Sequence, residues 1–319
     1  MKSWKKALAV VLAVLPGTGI AADFPSKPVT LVVPYPPGGN VDTSARIIAP
    51  KMEEILGQPI VVENRAGAGG MIAAEYVKNA DPDGYTLFMA ANGPLLFAPM
   101  TMNRPDAYDW KTDFTPVGSV SITPMALTVR KDVGITDIDE LLASSGEKNL
   151  LMASPGAGTT NHLAAEKLKA DSGGDFRIVH YKGNAPSIAS LIGGETAFSF
   201  DQMSVILPYI KDGEVVPLAV TSSERVPALP DVPTLKETGK FDFAAVTFTG
   251  LLAPAGTPQE AIDALSAALN ETLNGEDVKK RFEDLGSLAS PKTRAEFGDF
   301  LTEIDDTWRP VVAEVNANK

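Results

Sequence analysis

From Val29 onward, short apolar runs alternate with longer stretches whose apolar residues recur at helical spacing. "VTLVVP" (29–34) reads as a buried strand and "VDTSARIIAPKMEEIL" (41–56) as a helix, with Pro50 expected to kink or split it. "PIVVEN" (59–64) is the next strand, "GGMIAAEYVKNA" (69–80) the next helix, and "YTLFMA" (85–90) a third strand behind the turn "DPDG". Such alternation predicts an α/β fold with mainly parallel sheets and helices on both faces.

The pattern then starts anew. "PMALTVRKD", "NLLMAS", "RIVHYKG", "TAFSFD" and "VVPLAVTS" read as strands between Pro124 and Ser222. "ITDIDELLASS", "TNHLAAEKLKADSG", "APSIASLIGG" and "VILPYIKDG" read as the helices between them. This defines a second βα lobe over about residues 122–220. Residues 221–239, rich in Pro and polar side chains, form a crossing loop to the strand "AAVTFTGLLAP" (244–254). "TPQEAIDALSAALNETLNG" (257–275) is a strong amphipathic helix, with Pro258 in its first turn behind Thr257. A last helix, 291–317, is expected to be interrupted at Pro310. The organisation is therefore residues 23–121 plus 221–319 as lobe 1 and 122–220 as lobe 2. Ligands of open parallel sheets bind beyond the C-terminal strand ends, at helix N-termini, so a cleft between the lobes is the expected site.

The first residues do not belong to this pattern. Lys2, Lys5 and Lys6 precede an apolar run from Ala7 to Leu15, which Pro16 and Gly17 break. Small residues (Gly19, Ala21, Ala22) then lead to Asp23. This is the pattern of a cleavable export signal over residues 1–22; the run is shorter than the ~20 residues a spanning helix needs. No cysteine follows it to carry a lipid anchor, and the 319-residue chain has none elsewhere. That absence removes disulfides, thiol catalysis and cysteine-based zinc sites. The chain carries a net charge of −12, and losing the three signal lysines takes it to −15. Nucleic acid and anionic membrane surfaces are repelled by such a chain.

Three glycine-rich segments enter helices: "PPGGN" (36–40), "RAGAGG" (65–70) and "SPGAGTTN" (154–161). A helix N-terminus has free N–H groups and a partial positive charge, and glycine lets an anion approach that backbone. The first and third segments fit either an anion site or a capped tight turn; the middle one, among small apolar residues, fits close packing. The pair of glycines at 38 and 39 is more than a strand-to-helix turn requires and points to something that approaches the backbone closely. No GxxxxGK[ST] occurs, and both GxG segments lack the third glycine of a dinucleotide loop, so small-anion binding is favoured over a phosphate cofactor.

Enzymatic signatures are absent. The two histidines, His162 and His180, form no HxH or HExxH, and Ser154 lacks the GxSxG elbow. His162 reads as a cap or packing residue. Asp42 and Arg46, at i and i+4, read as a structural pair. Asp201, at the end of "TAFSFD", is either a cleft-facing carboxylate or a helix cap.

"FPSKPVTLVVPYPPGGNVDTSARIIA", "VVENRAGAGGMIAAEYVKNADPDGYTLFMA", "SPGAGTTNHLAAE" and "YKGNAPSIASLIGG", in this order and spacing, resemble the receptors of tripartite tricarboxylate transporters, the Bug family of periplasmic solute-binding proteins. The resemblance runs from about Phe24 to the C-terminus. It implies a two-lobed periplasmic binding protein fold (type II-like), a periplasmic location, a monomer, and docking to an integral-membrane, ion-coupled transporter. It implies a small organic carboxylate as ligand, with no cofactor and no metal. Two loops would grip the carboxylate through backbone N–H groups and ordered water. Carried over, the first is Tyr35 to Asn40, chiefly Pro37, Gly38 and Gly39. The second is Ser154 to Thr160, including Gly156, Ala157 and Gly158, with His162 just beyond. Thr159 and Thr160 stand where the family usually has Ser. Asp201 would face the distal part of the ligand, and Asn92, a departure from the usual Ser or Thr, would alter one wall of the pocket. The runner-up is a sensor of the same fold, followed by an enzyme using the cleft.

Overall fold

The computed structural model describes residues 24–146, 150–239 and 241–317; the expected export segment lies outside the described residues. The first sheet opens with β1 (Val29–Val33), α1 (Asn40–Leu56), β2 (Ile60–Asn64), α2 (Met71–Lys78) and β3 (Thr86–Ala91). β1 pairs in parallel with both β2 and β3. A π-helical turn (Gly93–Phe97) and two short helices, α3 (Ala98–Thr101) and α4 (Trp110–Asp113), lead into β4 (Phe114–Arg130). The second sheet is built from α5 (Ile138–Ser145), β5 (Leu151–Ser154), α6 (Thr160–Ser172), β6 (Arg177–His180), α7 (Asn184–Gly193), β7 (Phe198–Gln202), α8 (Met203–Lys211) and β8 (Val215–Val220). The chain returns through β9 (Val246–Pro254) and finishes with α9 (Gln259–Asn274), α10 (Glu276–Asp284), β10 (Leu288–Ala289) and α11 (Arg294–Ala317).

Both sheets contain a parallel trio, as the alternating pattern predicts, and both are completed by antiparallel crossing strands. β9 runs antiparallel to β3 and β4; β7 and β8 run antiparallel to β4. β4 belongs to both sheets. Its residues up to Pro124 pair with β9, and those from Met125 onward pair with β7 and β8. Sequence reading finds only its second half, because Pro116, Gly118 and Pro124 punctuate the first half as turn residues do. Register shifts leave Val117 and Val120 as the bulged residues beside them, while Pro116, Gly118 and Pro124 keep partners on β9.

At the junction, Thr221 ties the two crossings together. Its N–H donates to Met125 O, its hydroxyl accepts from Met125 N at 3.0 Å, and its carbonyl accepts from Ala245 N. Three apolar clusters fill the molecule. One packs α1 and α9 against the first sheet, one packs α7 and α8 against the second, and the largest runs from Phe88 and Phe97 through Phe198 and Phe200 to α11.

Two proline expectations fail. α1 and α11 continue through Pro50 and Pro310. Each proline is exposed, as is the residue four positions earlier (Arg46, Asp306), so water can satisfy the carbonyl that loses its helical partner. α9 starts at Gln259, with Pro258 just outside it. The helical segment between β3 and β4, together with α10 and β10, is not anticipated by the sequence pattern.

Candidate functional site

Gly38 has φ +86°, a left-handed conformation that glycine tolerates best, and its N–H donates to Asp42 Oδ2 at 2.9 Å. The Asp42 carboxylate also accepts from Arg46 Nε (2.9 Å) and Asn64 Nδ2 (2.8 Å). Burial pushes this carboxyl up, but Arg46, the Gly38 amide and Asn64 outweigh it and hold Asp42 below its ordinary value. Asp42 and Arg46 thus brace the loop, the structural role their spacing suggests. Pro37 and Gly38 are exposed on its outer side.

Gly39 answers the question its sequence raises. A methyl group placed there would sit 3.1 Å from Asn184 Oδ1, at the start of α7 in the other lobe. What approaches this backbone is a side-chain amide from across the cleft. Next to it, Asn40 is 1% exposed; its Oδ1 accepts from Ser204 Oγ of α8 at 2.6 Å, and its Nδ2 has no partner. Leaving a buried donor unpaired costs about 1–3 kcal/mol.

The second loop satisfies itself. Thr159 caps α6 by accepting from His162 N (3.2 Å), and its hydroxyl donates to Gly156 O (2.7 Å). His162 Nδ1 accepts from Gly158 N at 3.2 Å, its Nε2 lies 3.5 Å from Glu166, and its ring meets His180 edge-on at 4.7 Å. Ser154 Oγ lies 3.2 Å from His180 Nδ1 and accepts weakly from Gly156 N. Ser154 and His162 are therefore scaffold for the loop. Here too glycines permit contact across the cleft: a methyl on Gly158 would meet Thr101 Oγ1 at 2.5 Å, and one on Gly93 would meet Gly158 O at 2.9 Å. The middle loop packs closely, as expected: a methyl on Gly69 would lie 3.1 Å from Ala157 O. Residues of both glycine loops, Tyr35 and Gly158, converge on Gly93.

Between these contacts lies a cavity of about 20 Å³, room for about one water. Tyr35, Asn40, Thr159 and Thr160, four of the residues expected at the site, line it. Burial drives the Tyr35 phenol upward, so it stays protonated. Pro155, which falls within the expected second loop, and Val41, Ala91, Gly93, Asn161, Asn184, Gln202 and Thr247, which are not among the expected site residues, complete the lining. The polar members form one network: Gln202 Nε2 donates to Asn161 Oδ1 (2.8 Å) and Thr247 Oγ1 (3.0 Å), and Gln202 Oε1 accepts from Asn184 Nδ2 (2.8 Å). Asn161 and Asn184 sit inside segments the sequence marks as glycine-led helix starts; Gln202 and Thr247 carry no local signal.

Asn92 and Asp201 are among the expected site residues that do not line it. Asn92 is fully buried and does not form a wall: its Nδ2 donates to Val246 O (3.1 Å) and its Oδ1 accepts from Phe248 N (2.9 Å). An amide at this position ties β3 to β9, a bridge that takes both of its polar ends. Asp201 lies behind the lining and does not cap α8, whose N-cap is Gln202. Its Oδ2 accepts from Ser199 Oγ (2.6 Å) and its Oδ1 from Asn184 Nδ2 (3.3 Å).

The N-termini of α1, α6 and α7 converge on this cavity, and among the described residues no lysine or arginine lines it. First-turn N–H groups have no intrahelical acceptor, and the helix ends carry partial positive charge. The arrangement suits an anion held by neutral donors.

These features define a two-lobed solute-binding protein of the periplasmic type. Residues 44–316 match the family model described as the tripartite tricarboxylate transporter family receptor, and the chain belongs to that family. It is 31% identical to the protein BugT of Bordetella pertussis over 317 residues, covering 97% of each chain. Among solved structures, R. palustris Rpa4515 with adipate matches at TM-score 0.87 and 31% identity, covering 91% of this chain and 98% of that one. MatC from Rhodopseudomonas palustris with bound malate matches at 0.86 and 35%, covering 91% and 100%. The periplasmic binding protein BugD matches at 0.85 and 31%, covering 91% and 98%. No helix among the described residues is long and apolar enough to cross a membrane.

Proposed function

We propose that this chain is a periplasmic receptor that captures a small organic carboxylate in the cleft and delivers it to an ion-coupled membrane transporter of the tripartite tricarboxylate type. Lobe 1 comprises 23–121 and 221–319, and lobe 2 comprises 122–220, with residues 1–22 removed on export. The mature protein acts as a monomer, binds without catalysis and takes no cofactor.

The observation that carries this reading is the unpaired Asn40 Nδ2 among three converging helix N-termini. A carboxylate oxygen would satisfy that donor and meet the positive ends of all three helices. Asn40 and Val41 come from one lobe, and Thr160, Asn161 and Asn184 from the other, so both lobes reach the ligand together only when closed. Ligand thereby favours the closed form, which a transporter can recognise. The cavity is too small for a dicarboxylic acid as it stands, so entry requires the lobes to part and binding sets a wider closure. Acids bound by the neighbours, adipate and malate, define the first chemical class to try.

The test is a thermal-shift screen of mono-, di- and tricarboxylates against the mature protein, followed by calorimetry on the acids that raise its melting temperature. At least one acid should bind stoichiometrically and be recovered unchanged. Turnover of the bound acid, or shifts from amines and sugars alone, would sink the receptor reading.

A further inference from the structure

Three aspartates are buried among the described residues: Asp42, Asp201 and Asp305. Asp42 is bonded to Arg46 and Asp305 to Arg309. Asp201 is 0% exposed and has no such cation; its partners are the Ser199 hydroxyl and the Asn184 amide. Asn184 is at once a bonding partner of Asp201 and part of the cavity wall, so one side chain separates this carboxyl from whatever anion the cavity holds.

We propose that Asp201 takes up a proton when the cleft closes on an acid, which makes it a proton-linked specificity residue for the ligand. This rests on the carboxylate reading given above. A buried carboxylate with two neutral donors and no cation is poorly placed to keep its charge, and a second negative charge beyond Asn184 makes that worse. Burial already lifts the Asp201 carboxyl to about 7, against the opposing pull of Ser199 and Asn184.

The surrounding elements offer no compensating charge. α7 and β8 contain no titratable side chain. On β4, which pairs with Asp201 through Ala126, Arg130 is bonded to Asp132 and Thr196 O. α8 carries Tyr209 and Lys211 in its last turn. On the parallel side, His180 of β6 is engaged with Ser154, and His162 of α6 with Gly158 and Glu166.

The sign follows from linkage. Burial in the closed cleft already raises the proton affinity of Asp201, and an anion beyond Asn184 raises it further, so binding near neutral pH draws in part of a proton. Affinity therefore rises as pH falls through 7 and levels off once the group is protonated in both states. A one-unit rise in this value corresponds to roughly sevenfold in affinity between pH 8.5 and 6. A neutral Asp201 admits a second ionised group on the ligand; an ionised one excludes it.

The experiment is calorimetry of malate, adipate and the best acid from the screen at pH 7, in phosphate and in Tris, whose ionisation heats differ. Wild type should take up a measurable fraction of a proton per ligand, and Asp201→Asn should bind with none beyond the ligand's own. Equal proton counts in the two proteins would overturn the proton linkage and leave the receptor reading standing; failure of every acid to bind would overturn both. Ser199→Ala supplies a second, milder variant. Removing the 2.6 Å donor to Asp201 Oδ2 should leave the group protonated at pH 7, reduce uptake there, and move the pH of weakening affinity upward. An unmoved pH profile in this variant would equally count against the proposal.

Discussion

The two glycine-rich entries, residues 35–40 and 154–160, share a plan of strand, glycine loop and helix, but they dispose of their polar groups differently. In the second, Ser154, Thr159 and His162 are bonded within the loop or to its neighbours, so its shape is held without ligand. In the first, Asp42 braces the outer turn while Asn40, buried at the cavity, keeps one donor unspent. The difference separates two kinds of glycine-loop chemistry that sequence alone presents as one. A loop whose polar groups are satisfied positions backbone; a loop with a buried orphan donor is where a ligand oxygen gains most.

The comparison breaks most directly at Asn40. Asn40→Ala removes the open donor, and a hydrogen bond to a charged group is worth about 1.5–3 kcal/mol, so carboxylate affinity should fall about 10–150-fold. The same change also removes the 2.6 Å link to Ser204, which Ser204→Ala isolates. Calorimetry should show a much smaller loss for Ser204→Ala. Equal losses in the two variants would mean that the inter-lobe link, and not the open Nδ2, carries the effect.

A second break tests closure itself. Gly93 does not need a left-handed backbone, so alanine is tolerated locally, but its methyl would stand 2.9 Å from Gly158 O across the cleft. The Tyr35 hydroxyl at 2.9 Å is the end of a side chain and can shift; a backbone carbonyl cannot shift alone. Overpacking of this kind costs about 1–3 kcal/mol, and here only in the closed form. Gly93→Ala should weaken the ligand about tenfold, and small-angle scattering at saturating ligand should show a wider particle than wild type. Unchanged affinity would show that closure leaves more room at Gly158 than this structure has.

How far the sequence reaches into this site depends on whether the signal is local. The parallel trios were legible because apolar runs and helical periodicity are properties of a few consecutive residues, and so were Tyr35, Asn40, Thr159 and Thr160, which sit at glycine-led helix starts. β4 was half hidden because its prolines and glycine read as turn residues although they pair with β9. Asn92 was misjudged because its partners, Val246 O and Phe248 N, lie more than 150 residues away in sequence. Gln202 and Thr247 were invisible for the same reason: their 3.0 Å bond joins a strand end of one sheet to a crossing strand of the other. Gly39 shows a subtler limit. The pattern demands close approach, but only the fold shows that Asn184 comes close to this backbone.

The smallest effect sharpens the comparison from the side of the second loop. Thr159 lines the cavity, yet its hydroxyl both caps α6 and donates to Gly156 O, so it has little left for a ligand. Thr159→Val keeps the shape and removes the cap. Loss of a Thr cap costs about 1 kcal/mol, so the midpoint of urea unfolding should drop measurably. Ligand affinity should change by less than about threefold, because one bond lost from a loop held by several moves its backbone little. An affinity loss as large as that of Asn40→Ala would place the hydroxyl on the ligand and erase the contrast between the two loops. A stability loss with affinity nearly intact would confirm that the second loop contributes shape where the first contributes an unspent bond.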